Sequence, residues 1–123
     1  YPDRKSGYAV GIYKTTVDEM YEPYLIPQDH GLRCDNRWVT LSDSEGHGIR
    51  FSMDQLFNFN ASSFSTDNLT RARFQYQIER QDGVTLNLDY ATTGVGCTCC
   101  YVLPAYQVIP QRYSRVIKVE LLR

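Results

Sequence analysis

The sequence predicts an all-β fold, an antiparallel β-sandwich with one short helix. Three observations predict it. Stretches rich in β-branched and aromatic residues recur along the chain, and several of them alternate apolar and polar side chains at period two. No strand–helix alternation of the kind that builds a parallel sheet is present. Together they give at least six strands in one module covering residues 1–123.

In chain order, Tyr8–Thr16 is a β-branched and aromatic strand kinked at Gly11. Val17–Met20 and the Pro-punctuated Tyr21–Pro27 read as an extended surface connection. Arg37–Leu41 is a short strand, and Asp43–Gly48 (DSEGHG) is a turn. Ile49–Met53 and Leu56–Asn60 carry the period-two pattern of two further strands. Ser65–Ala72 is the one helix, with Ser65 or Thr66 as its cap. Phe74–Glu79 and Val84–Leu88 alternate on either side of Asp82-Gly83, the signature of a hairpin whose turn needs positive φ. Tyr113–Leu122 is the last strand.

Composition narrows the function. The chain has 42% apolar and 22% charged residues and a net charge of −1, so the basic footprint of a nucleic-acid or membrane-surface binder is absent. No window approaches the ~20 apolar residues of a membrane-spanning helix. At 123 residues the chain is half the ~250 that an eight-fold barrel enzyme needs. Ten tyrosines against five phenylalanines suit strands and polar clefts, where an apolar ring needs a wet tip. The sequence starts at Tyr1 and reads as a piece of a longer protein, so targeting signals fall outside it. Cytoplasm and periplasm both stay open.

No catalytic constellation stands out. Glycoside cleavage needs two converging carboxyls, yet the 14 acids are scattered through turns or beside basic residues. Asp89 is the one acid inside a strand, and its plain reading is a side chain that orients the following loop. His30 and His47 are candidate bases without a matching nucleophile. Cys97-Thr98-Cys99-Cys100 holds half a zinc site, with no second pair to complete it. With Cys34, these cysteines read as free thiols in a reducing compartment, and neither metal nor cofactor is expected. Gly94-Val95-Gly96 lacks the remaining spacing of a dinucleotide fingerprint and reads as a loop after a strand. Asn60-Ala61-Ser62 and Asn68-Leu69-Thr70 match the glycosylation sequon, a frequent chance match.

A series of short motifs nevertheless runs through the chain in order. It comprises Tyr1-Pro2-Asp3-Arg4, Met20-Tyr21-x-Pro23-Tyr24, Pro27-Gln28-Asp29-His30-Gly31-Leu32-Arg33 and Asp35-x-Arg37-Trp38. Phe57–Ser62, Leu69–Ala72 and Leu86–Tyr90 leading to Gly94-Val95-Gly96 follow. The series resembles the C-terminal part of the large bacterial β-galactosidases of glycoside hydrolase family 2. That resemblance implies the later portion of a sandwich domain similar to galactose mutarotase. It also implies a catalytic barrel domain elsewhere in the parent enzyme, which holds both active-site glutamates and hydrolyses β-galactosides, and a parent that is a homo-oligomer. The loop opened by Gly94 and Gly96 would then place Tyr101, where relatives can have Trp, against the leaving-group or acceptor sugar. Family members often continue Gly-x-Gly with Gly-Asp-Asp-Ser-Trp, whereas Cys97-Thr98-Cys99-Cys100-Tyr101 follows here. Three alternatives stay open: Tyr101 packs on the sandwich edge, the chain is a free-standing carbohydrate-binding or mutarotase-like module, or it is a purely structural contact between domains or subunits.

Overall fold

A computed structural model describes residues 10–27, 30–93 and 101–123. They form a largely antiparallel β-sheet with one short helix, in keeping with an all-β sandwich. Four strands are present among the described residues: β1 (Arg33–Ser42), β2 (Gly48–Ser62), β3 (Thr85–Asp89) and β4 (Ile117–Leu122). The sheet order is β1-β2-β3, and β4 also pairs with β2. Contacts divide the chain into two compact units. One joins the described residues up to Cys34 with Phe59–Leu88, and the other joins Asp35–Asn58 with Asp89–Arg123.

In the second unit, β1 and β2 are joined by the predicted turn. Asp43 N–H donates to the His47 carbonyl at 2.9 Å, and Asp43 Oδ1 accepts the amides of Glu45 and His47, both at 2.9 Å. Gly46 takes the positive φ of +91° that this turn requires. The two stretches read as separate strands, Ile49–Met53 and Leu56–Asn60, are one continuous β2 of 15 residues. β4 runs antiparallel to its first half, pairing Ile49 with Leu121, Phe51 with Val119 and Met53 with Ile117. Residues directly opposite share a face. These six therefore form an apolar ladder on one side, while Arg50, Ser52, Lys118 and Glu120 lie on the other. Lys118 and Glu120 pair at 3.0 Å. Among the described residues of this unit, Phe57, 1% exposed, and Val39 are the buried apolar side chains.

In the first unit, Met20, Ala61, Leu69 and Ala72 are buried. Helix α1 (Thr66–Arg71) begins as predicted, with Ser65 Oγ accepting the Asn68 amide at 3.1 Å. Asp67 and Arg71 pair one turn apart on its exposed side.

Four further predicted elements are different. Val10–Thr16 is not a strand, and residues 1–9 lie outside the described ones. Val10 and Ile12 are exposed and pair with no strand among the described residues, so β propensity alone does not make a strand there. The extended connection instead holds a 3₁₀ turn at Asp18–Met20 that buries Met20. A reciprocal cap starts it: Thr16 N–H donates to Glu19 Oε2 (2.9 Å) and Glu19 N–H to Thr16 Oγ1 (3.2 Å).

The predicted hairpin also loses its first arm. Gln75–Gln77 is a 3₁₀ turn rather than a strand. Gln77 Oε1 accepts the amides of Arg73 (2.8 Å) and Phe74 (3.1 Å), and Asn68 Oδ1 accepts that of Glu79 (2.9 Å). Side chains thus take the amides a ladder would use. Phe74 and Tyr76, whose spacing imitates a strand face, are exposed and stack on each other at 5.5 Å. The last strand is shorter than Tyr113–Leu122, starting at Ile117.

Two measurements check this account. A Cβ at Gly48 would lie 2.1 Å from the Leu41 carbonyl oxygen, which is backbone and cannot swing away. Gly48→Ala should therefore cost about 1–3 kcal/mol in thermal or chemical unfolding; an unchanged melting curve would show that β1 and β2 approach less closely. The Thr16 amide, then the hydroxyls of Thr15 and Thr16, hold the Glu19 carboxyl below its ordinary value of 4.5. A depressed folded value means that this stabilisation is present above the unfolded value and is lost as pH falls through the folded one. An NMR titration should place the Glu19 midpoint below 4.5, and the stability gap to Glu19→Gln should shrink on acidification.

Candidate functional site

The loop root after β3 lies in the second unit and is built from hydrogen bonds. Asp35, in β1, takes φ +57°, a left-handed conformation that costs a residue other than glycine about 1–2 kcal/mol. Its amide donates to Asn58 Oδ1 at 3.1 Å, and the neighbouring Asn36 Nδ2 donates to the Phe57 carbonyl at 3.1 Å. Asn58 Nδ2 then reaches Thr92 Oγ1, three residues beyond β3, at 3.1 Å. Thr93 Oγ1 accepts the Val108 amide at 2.9 Å, tying the outgoing and returning stretches together. On the returning side, Gln107 Nε2 donates to the Val102 carbonyl at 2.6 Å across the 3₁₀ turn Pro104–Tyr106. Beside Val102, Tyr101 is 97% exposed. Gly94, Gly96, Cys97, Cys99 and Cys100 lie outside the described residues.

Close by, Tyr90 and Tyr113 pack at 5.0 Å, and the Arg115 guanidinium sits 3.8 Å over the Tyr90 ring. Tyr113 O–H donates to the Ile109 carbonyl at 2.6 Å. These aromatics support the segment leading into β4.

In the first unit, His30 serves structure. Its Nε2 accepts the Glu22 amide at 2.8 Å, which commits the lone pair a general base would use. Tyr21 and Tyr24 flank its ring, each at 5.4 Å. Gln75 locks both, accepting from the Tyr21 hydroxyl and donating to the Tyr24 carbonyl. Buried Asn60 donates to the His30 carbonyl at 3.3 Å and accepts from Asn87 Nδ2 at 2.7 Å. A cavity lined by residues including Tyr21, His30, Asn60, Phe64 and Arg80 has about 130 Å³. Ligand pockets run to about 300 Å³ and more, whereas a water occupies about 30 Å³. It has room for a few waters rather than a sugar.

The remaining candidates stay apart. His47 lies in the exposed β1–β2 turn, 3.4 Å from Asp43 and 3.5 Å from Glu45. Asp89 ends β3. Cys34 lies in β1 and is half-buried. Among the described residues no group of three or more His, Cys, Asp or Glu side chains is arranged to hold a metal. Burial of Asn60 removes its sequon from use, and the Asn68 side chain is engaged by Glu79 and Gln77.

Sequence reasoning missed Asn58, Thr92 and Gln75. A signal for the first was present: asparagine is depleted in strands, so Asn58 and Asn60 inside β2 mark side chains used as hydrogen-bonding groups. Thr16-x-x-Glu19 likewise carries the capping-box spacing in plain view.

The sequence profile of the family described as "Beta galactosidase small chain" matches residues 1–118. The chain is 34% identical over 97 residues to a β-galactosidase of Streptococcus thermophilus, covering 78% of this chain and 10% of that protein. It is 38% identical over 98 residues to one of Vibrio cholerae, covering 78% and 9%. A β-galactosidase of Aeromonas hydrophila is 34% identical over 116 residues, covering 92% and 11%. The chain belongs to the β-galactosidase small-chain family, and it spans about a tenth of the length of the curated relatives it matches.

Proposed function

We propose that the chain is a non-catalytic accessory module of a family 2 β-galactosidase. It packs on the rest of the enzyme, including a catalytic barrel domain, and lends Tyr101 to a carbohydrate contact. The parent enzyme hydrolyses terminal β-D-galactosides. The observation that carries this reading is the apolar ladder of β2 and β4. Ile117, Val119 and Leu121 stand 48%, 56% and 71% exposed, on a chain that spans a tenth of relatives named β-galactosidase. An uncovered apolar sheet face of this kind calls for a partner layer. The exposure of Tyr101 supports the second part: a ring free on both faces can stack on the apolar side of a hexose.

Two sets of variants of the parent enzyme test the two parts. Val119→Lys with Leu121→Glu should lower its stability by at least about 3 kcal/mol, since burial of each side chain is worth about 1.5–3 kcal/mol. Lys118→Gln on the opposite face should stay within about 0.5 kcal/mol; equal effects from the two faces would sink the packing role. Tyr101→Ala should lower kcat/KM for lactose about fivefold to tenfold, from a stacking contribution of roughly 1 kcal/mol. An aryl galactoside with a small activated leaving group should respond less. Identical changes for the two substrates would leave the module with a purely structural role.

A further inference from the structure

Three side-chain hydrogen bonds, linked by the peptide bonds between Thr92 and Thr93 and between Gln107 and Val108, connect the sheet to the carbonyl of Val102, the residue after Tyr101, within one compact unit. We infer that Asn58 and Thr92 are positioning residues for Tyr101, so that a strand residue remote in sequence sets where the backbone presents the sugar-facing ring. The inference rests on the carbohydrate-contact reading of Tyr101.

Asn58 occupies the middle of the relay. Its Oδ1 holds the amide of left-handed Asp35, and its Nδ2 holds the Thr92 hydroxyl. An amide side chain suits this place, because it offers an acceptor and a donor at the same carbon. From Thr92 the path passes to Thr93, whose hydroxyl captures the Val108 amide, and then to Gln107, whose side chain grips the Val102 carbonyl next to Tyr101. The Asn58–Thr92 link joins residues 34 apart in sequence, the Thr93–Val108 link joins the two sides of the loop root, and the Gln107–Val102 link fixes the returning side. A strained residue such as Asp35 persists only where its surroundings over-determine it, and such residues gather where geometry serves function. Asn58 is half-buried while Thr92 is exposed, so the relay runs from the sheet out to the surface.

Thr92→Val keeps the shape of the side chain and removes the acceptor, and Thr92→Ser restores the hydroxyl. In the parent enzyme, Thr92→Val should speed amide hydrogen exchange at Val108, whose N–H the relay holds, about fivefold, the equivalent of one ordinary hydrogen bond. It should raise KM for lactose by a similar factor while leaving kcat for an aryl galactoside unchanged. Asn58→Ala should reproduce both effects, and Thr92→Ser should reverse them. Unchanged exchange at Val108 in Thr92→Val would overturn the inference. So would an unchanged lactose KM there if Tyr101→Ala raises it. Faster exchange with a lactose KM indifferent to both Thr92→Val and Tyr101→Ala would instead uphold positioning and remove the sugar-contact reading beneath it.

Discussion

The rest of the structure depends on one constraint, that β2 keeps a single register over fifteen residues while serving three partners. A slip of one residue would exchange its faces, sending Phe57 outward and Arg50 into the apolar ladder. Three local devices resist that slip. Gly48 lets the strand begin where any side chain would strike Leu41. Asn58 engages Asp35 of β1 by a side chain rather than by the repeating backbone pattern. Asn60 is bonded to both the His30 carbonyl and Asn87, so it fits only one alignment. A uniform hydrophobic ladder would slide; polar punctuation stops it.

Much of the fold was legible in the sequence, and the failures share one cause. The turn at Asp43–Gly48, the helix begun by Ser65, and the strand character of Ile49–Asn60 all follow from local chemistry that the structure keeps. Phe74–Glu79 and Val10–Thr16 were misleading because strand propensity describes how side chains suit a pleated surface and says nothing about whether a neighbouring strand exists. At Phe74–Glu79 the competing partners were Gln77 and Asn68, whose amide groups took the backbone donors first. The break at Asp54–Gln55, read as a gap between strands, only marks exposed residues within one strand.

The site was legible to a different degree. The family resemblance drew attention to Tyr101, and its ring is exposed. Nothing in the local sequence pointed to Thr92 or Gln75, because their partners lie 34 and 51–54 residues away and chain closure alone brings them together. His30 shows the converse. A histidine between two tyrosines invites a chemical reading, yet a backbone amide already occupies its free nitrogen.

β4 carries one more consequence. Among the described residues it pairs only with β2, so its other edge offers open backbone groups to any passing strand. Its sequence, Ile-Lys-Val-Glu-Leu-Leu, would be a strong seed for cross-β stacking if every position were apolar. Lys118 and Glu120 interrupt it at every second residue, on the face opposite the ladder, and their mutual pairing leaves β4 without net charge. A second copy could add to that edge only by bringing charged side chains into a stacked interface that excludes water. The two charges thus act as gatekeepers against self-assembly, while the apolar side remains available to a legitimate neighbour.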